Sequence, residues 1–317
     1  MDRIEIHADD YGISPHSSED ILNCIRAGRL DSISVLTNMS CYEKYAGIYQ
    51  KEKHSWPRQP LLSVHLNFME GHCAADPKEV PHLVDEKGYF NISWGTLFIW
   101  NYSPKKFMVI KKELKAEIKA QTERFLDFFG RELPLRFDGH QHTQMLPIVY
   151  WALLEVIVEQ QYRTEYIRVT REPIRPYLAS LKLWTSYRPV NWVKNVLLNF
   201  YAHGMERAIE KNRPACQKKN MPMYLWGVVM SGHMDRERVG ILFPAMERQA
   251  GKKGRHLEIL FHPGTVLEEE LTEEFCNHGA NEFHISPGRN VEYDTVMKLT
   301  KEGGRSDGFD KKMDNKK

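Results

Sequence analysis

The sequence predicts an α/β protein of parallel strand–helix units, arranged either as a barrel or as a doubly wound sheet. Short apolar strands alternate with amphipathic helices from residue 4 onward. Four of those strands run directly into Asp or His residues at their C-terminal ends, where parallel α/β folds hold their ligands. No internal repeat and no linker marks off a second domain, so residues 1–300 read as a single unit with insertions.

The strand Ile4 to Ala8 leads into Asp9-Asp10-Tyr11-Gly12. Adjacent carboxylates repel unless a cation or a shared proton compensates, although Asp-Asp-X-Gly is also ordinary turn chemistry. Ser14 or Ser17 can cap a helix with Ile21, Leu22 and Ile25 on one face, and Gly28 ends it. A second strand is expected at 32–36, a short helix at 42–49 and a third strand at 61–66. Residues 68–104 break the rhythm with a long, lid-like loop carrying Tyr89, Phe90, Trp94, Phe98, Trp100 and Tyr102. Such rings suit the apolar faces of sugars, and equally suit a small satellite core that holds the loop down. Residues 105–129 form the clearest helix, its Leu114, Ile118, Phe125 and Phe129 in a stripe opposite a charged face expected to be solvated. A fourth strand is expected at 135–138, a helix from Pro147 to Val158 and a fifth strand at 166–169. Residues 173–222 read as an insertion with an aromatic-basic run and the basic cluster Lys211 to Lys219. A sixth strand (224–229), a helix (235–250) and a seventh strand (257–261) follow, and 303–317 reads as a disordered tail.

Composition narrows the classes. The chain has 317 residues, 42% hydrophobic and 27% charged, as in ordinary globular proteins. A net charge of +2 argues against a general nucleic-acid binder. Five scattered cysteines without a Cys-X-X-Cys fit reduced thiols and offer no thiolate zinc site. No apolar run approaches the ~18 residues of a membrane span, and the first strand starts too early for a signal peptide. A soluble cytoplasmic protein is the expectation.

The polar strand ends are Asp9-Asp10, His65, Asp138-Gly139-His140-Gln141-His142 and His262-Pro263-Gly264. Two imidazoles and a carboxylate make a standard set of donors for a catalytic divalent metal. Zinc suits the nitrogen donors, while Mg²⁺ would prefer more oxygen. A second carboxylate can take a proton from water and a histidine can protonate a leaving amine.

Ala8-Asp9-Asp10-Tyr11-Gly12-Ile13-Ser14, Val64-His65-Leu66, Asp138-Gly139-His140-Gln141-His142 with Pro147, and Glu258-Ile259-Leu260-Phe261-His262-Pro263-Gly264 resemble, in order and separation, the YdjC-like carbohydrate deacetylases. The resemblance spans residues 3 to about 265. It implies a distorted TIM-like (β/α) barrel of about seven parallel strands and hydrolysis of N-acetyl groups on an amino sugar, oligosaccharide or glycolipid. It also implies one divalent cation, Mg²⁺ or Zn²⁺, held by Asp10, His65 and His140. Asp9 matches the position of the general base and His262 that of a histidine assisting the leaving amine or the oxyanion. Where many relatives continue His-X-His-X-His, this chain has Gln144, expected to tune the site. A homodimer is compatible with the resemblance.

Around that set, Asp138 is expected to hydrogen-bond a ligand imidazole. His142, Arg168 and Arg171 are candidates for substrate contact; the arginines could equally orient Asp10 or form surface salt bridges. Arg289 is a candidate to close the barrel or neutralise a carboxylate, and His7, His233 and His284 are read as structural. Two rival readings share the barrel mouth: a metal-dependent phosphoesterase, which needs a second metal, and a non-catalytic sugar-binding protein.

Overall fold

The structure, a computed structural model, describes residues 4–180, 183, 187–212, 221–275 and 278–299. Its strands are β1 (Ile4–Tyr11), β2 (Ser32–Val35), β3 (Leu61–Leu66), β4 (Leu135–Gly139), β5 (Thr164–Ile167), β6 (Met223–Trp226) and β7 (His256–Phe261). All pair in parallel, in the spatial order β5-β4-β3-β2-β1-β7-β6. Followed round as a circle, this is the order of the sequence, with a gap between β5 and β6. A doubly wound sheet would instead reverse its strand order at a switch point. The gap is bridged just past β5. The Leu225 N–H donates to Arg171 O at 3.0 Å, and the Glu172 carboxylate accepts from the Gly227 and Val229 amides at 2.8 and 2.9 Å. The fold is a curled, distorted TIM-like barrel, as the sequence led one to expect.

The helices are α1 (Pro15–Arg26), α2 (Tyr42–Glu52), α3 (Trp94–Asn101), α4 (Pro104–Phe129), α5 (Pro147–Glu159), α6 (Pro189–Lys211), α7 (Arg236–Lys252), α8 (His278–His284) and α9 (Pro287–Lys298). Local chemistry sets their ends. Ser14 accepts from the Ser17 amide ahead of α1, and Asp235 from the Arg238 amide ahead of α7. Proline opens α1, α4, α5, α6 and α9, where its missing N–H costs nothing. Among the described residues no helix is long and apolar enough to cross a membrane.

Strand alternation divides the residues into two sets. Ile6, Ala8, Ile33, Val35, Leu62, Val64, Leu135, Phe137, Ile259 and Phe261 join the large apolar core shared with the helices. The alternating positions Glu5, His7, Asp9, Ser32, Ser34, His65, Arg136, Asp138 and Glu258 are polar. His7 bridges Ser32 and Ser34 at 2.6 and 2.7 Å, Ser34 donates to Asp138, and Arg136 pairs with Glu5. The barrel is therefore filled by a polar network, and burying these charges is tolerable only because each has a partner.

Several expectations change. β6 ends at Trp226 and not at Val229, because Gly227 turns out of the strand with φ 147°. A Cβ there would lie 2.6 Å from Leu260 O, so glycine is required. The α4 acids are not all solvated. Buried Glu117 accepts from the Ala74 and Ala75 amides at 2.9 Å each, and Glu113 from the His82 amide at 2.9 Å, pinning the 68–104 loop. Within that loop Phe90 and Leu97 are buried and Trp94, Phe98 and Trp100 pack against the core. Packing onto the main core, and not a separate satellite core, accounts for most of its aromatics, with Tyr102 left exposed. The 173–222 insertion contributes α6. Trp184, residues 213–219 of the basic cluster, and the 303–317 tail lie outside the described residues. Helices α8 and α9 are additions to the sequence reading.

Candidate active site

The pair Asp9-Asp10 sits where β1 departs from regular pairing with β2, the register shifting between Ala8 and Tyr11. Neighbouring residues of a flat strand face opposite ways. Here Asp10 adopts φ 71°, a left-handed conformation that costs a non-glycine residue roughly 1–3 kcal/mol. The bulge re-aims Asp10, so that both carboxylates serve one polar cluster.

Asp9 takes Nη1 of Arg168 at 3.0 Å to each of its oxygens and has His7 Nε2 3.0 Å away. Burial opposes its charge, but Arg168, His65 and His7 hold its carboxyl well below the usual range. Asp10 is held differently. Its Oδ2 accepts from Arg289 Nη1 at 2.8 Å, while its Oδ1 lies 3.0 Å from His140 Nδ1 and 3.5 Å from His65 Nε2. Burial again opposes ionisation, and His140 and Arg289 keep Asp10 charged.

Asp10, His65 and His140 each offer a donor atom within 4.8 Å of the other two, and all three residues are buried. The set fits a divalent cation on two further grounds. His65 Nδ1 donates to Asp138 Oδ1 at 2.6 Å, a bond that fixes the tautomer leaving Nε2 free as a ligand. Burial disfavours charge on both imidazoles, yet Asp9, Asp10 and Asp138 push His65 up to about 10, and Asp10 and Glu70 push His140 up to about 9. A cluster whose carboxylates draw protons onto buried imidazoles is one that a cation would neutralise.

Among the described residues, two other groups have ligand-like spacing. In His7–Asp9–Asp138 the guanidinium of Arg168 already supplies the cation, with Nη2 3.3 Å from Asp138 and 2.5 Å from Glu258. In Glu70–His140–His284 the groups satisfy one another: His284 Nε2 lies 2.9 Å from Glu70, and Glu70 lies 3.2 Å from His140 Nε2. Glu70 thus braces the far side of a candidate ligand imidazole.

The remaining sequence candidates separate. His142 is buried beside Thr170 Oγ1 at 3.3 Å; burial, then the Lys194 ammonium, keeps it well below its ordinary pKa and so neutral. Gln144 lies under the same turn, donating to Thr170 Oγ1 at 3.4 Å. His262, half-buried, receives a backbone brace, its amide donating to Glu292 at 2.6 Å, and its ring stacks edge-on against Phe283. Arg168 grips Asp9, not Asp10; the arginine on Asp10 is Arg289, which also donates to Gly264 O at 2.7 Å. Arg171 pairs with Glu206 on α6 at 2.9 Å and is not brought into the cluster. His7 and His284, read as structural, belong to the networks behind Asp9 and His140. Glu70 and Glu292 were missed altogether.

With this geometry in place, similarity to known proteins can be read. The family model for YdjC-like protein matches residues 3–300. The chain belongs to the YdjC-like family. Curated relatives include a carbohydrate deacetylase of Danio rerio, 28% identical over 171 residues, covering 54% of this chain and 50% of that protein. The Mus musculus carbohydrate deacetylase is 29% identical over 171 residues, covering 54% of this chain and 51% of its own length. A Salmonella newport chitooligosaccharide deacetylase is 28% identical over 153 residues, covering 47% and 54%. The chain thus spans about half the length of these YdjC-like relatives. A solved Enterococcus faecalis V583 protein, provisionally named for cellobiose-phosphate cleavage, superposes with a TM-score of 0.58 at 16% identity, covering 93% of this chain and 90% of the other. That likeness supports the barrel alone.

Proposed function

We propose that this YdjC-like protein is a metal-dependent hydrolase that removes N-acetyl groups from an amino sugar, releasing acetate. The observation that carries the reading is the juxtaposition of a ligand-spaced Asp10–His65–His140 set with a separately fixed carboxylate, Asp9. The names of the curated relatives point the same way.

Asp10, His65 and His140 would hold one divalent cation, with Asp138 and Glu70 orienting the two imidazoles. Bound there, such a cation lowers the pKa of water toward ~7 and polarises a carbonyl oxygen. Asp9, kept ionised by Arg168, accepts the proton of the attacking water. His262, with its ring backed by Phe283 and its backbone fixed by Glu292, donates the proton that lets the amine depart. Two nitrogen donors favour Zn²⁺ among the candidate ions. Asp138 and Arg168 support the reacting groups, and His142, buried and neutral beside Thr170, is a candidate substrate contact.

The test is an acetate-release screen across N-acetylated sugars, oligosaccharides and glycolipids, with and without chelator, alongside elemental analysis. One metal ion per chain and chelator-sensitive acetate release are expected. Two ions per chain with phosphate-ester hydrolysis and no acetate release would favour a phosphoesterase. Sugar binding by the metal-loaded protein without acetate release would leave a binding protein.

A further inference from the structure

Helix α6, in the 173–222 insertion, lies across the exits of two barrel strands. Asn199 donates to Glu172 O at 2.9 Å just past β5, and Asn191 donates to Val229 O at 3.1 Å past β6. The helix also packs on the His140–Met145 turn that carries the ligand histidine. Its buried stripe is Asn195, Leu198, Ala202 and Met205, while Val193, Val196 and Phe200 are exposed on the other side. Lys194 is three residues from Asn191 and four from Leu198, which places it on the inward stripe.

A lysine on the inward face of a helix normally pairs with an acid. Lys194 forms no ion pair among the described residues, and it remains half-buried. Its ammonium is within electrostatic reach of Asp9, which favours its charge, and of His142, whose protonation it opposes. Burial outweighs Asp9 and lowers Lys194 to about 8, so it is still mostly cationic at neutral pH. Asp9 forms no ion pair with Lys194; its oxygens face Arg168 and His7 instead. Lys194 is therefore an inward-facing, half-buried cation with no ion-pair partner among the described residues.

We propose that Lys194 is a specificity-determining residue whose ammonium binds an oxyanion, a carboxylate or a phosphate, carried by the substrate beside its acetamido group. This rests on the N-deacetylase reading of the same site. An anion seated on Lys194 anchors the sugar at a point separate from the reacting amide. The insertion helix then sets which N-acetylated sugars the barrel accepts. A charge-assisted hydrogen bond of this kind is worth roughly tenfold or more in affinity.

The experiment is calorimetric titration of the full chain at pH 7 with N-acetylglucosamine, its 1- and 6-phosphates, and its 3-O-lactyl ether. Wild type, Lys194→Met and Lys194→Arg are compared, with circular dichroism to check folding. At least one anionic sugar should bind wild type about tenfold more tightly than the neutral one. Lys194→Met should erase that preference and leave neutral-sugar affinity unchanged, whereas Lys194→Arg should retain most of it. The phosphate and lactyl arms show which oxyanion is read. Equal wild-type affinity for neutral and anionic sugars would overturn the proposal, as would a preference that survives in Lys194→Met or an equal loss for every sugar. Because the readout is binding, failure of the deacetylase reading appears separately, as an absence of acetate release from every sugar.

Discussion

A single guanidinium nitrogen, Nη1 of Arg168, stands 3.0 Å from both carboxylate oxygens of Asp9. Its sister Nη2 reaches Glu258 at 2.5 Å and Asp138 at 3.3 Å. One buried cation thus fixes the proposed base and also touches the acid that orients His65. Arg168→Lys keeps the charge and loses the fork. Turnover should fall about 100-fold with metal content unchanged, since a small misplacement of a reacting group costs that much. Wild-type kcat in this variant would show that Asp9 does not depend on the grip.

Glu70 is four residues beyond β3, yet it stands beside His140 and is paired with His284. Glu70→Gln removes the charge that orients His140, a proposed ligand. Metal affinity should fall about 10–100-fold, the usual effect of losing such a partner. Competition against a chromophoric chelator measures it. Unchanged affinity would reduce Glu70 to a purely structural role.

The carboxylates of Asp9, Asp10, Asp138 and Glu70 converge on one buried region, so a cation that binds only the folded state should stabilise it. At 100 times its Kd such an ion adds about 2.7 kcal/mol, or several degrees in Tm for a chain of this size. Differential scanning fluorimetry with Zn²⁺ or Mg²⁺, before and after chelator, reads the shift. Asp10→Asn should abolish it, and a persistent shift in that variant would place the ion elsewhere.

Lys194 gives a pH signature. Its folded-state value, about 8, lies below the ordinary 10.5 because burial outweighs the attraction of Asp9. For a base depressed in the folded state, the penalty is fully present below the folded pKa and fades as pH rises toward the unfolded one. Lys194→Met should therefore be more stable than wild type at pH 7, by about 3 kcal/mol at most. The difference should narrow between pH 8 and 10.5, as urea denaturation at several pH values would show. A gap constant over that window would contradict the assignment of a buried cation.

The barrel was legible because its strands are short apolar runs and its helices carry capping serines and opening prolines. That Asp10, His65 and His140 come together was legible because strand ends in parallel folds converge; their proposed role as metal ligands came from the family resemblance. The groups behind them were not. Glu70 lies in a loop and His284 at the end of a short helix, 214 residues apart in sequence, and only tertiary contact joins them. Arg289 reaches Asp10 across 279 residues. The polar interior was written in the period-two pattern Glu5, His7, Asp9, but a chain that buries charge looks, one strand at a time, like a strand with a wet face. Arg171 shows the converse: its position after β5 matches that of Arg168, while its side chain finds Glu206 outside the cluster.

The adjacent carboxylates divide the proposed labour, Asp10 on the cation and Asp9 on the proton. Metal content and acetate release of Asp9→Asn, measured on the same preparation, test this division most directly. About one equivalent of metal and a rate at least 100-fold below wild type are expected. An Asp9→Asn protein that turns over at the wild-type rate, or one that has lost its metal, would contradict it.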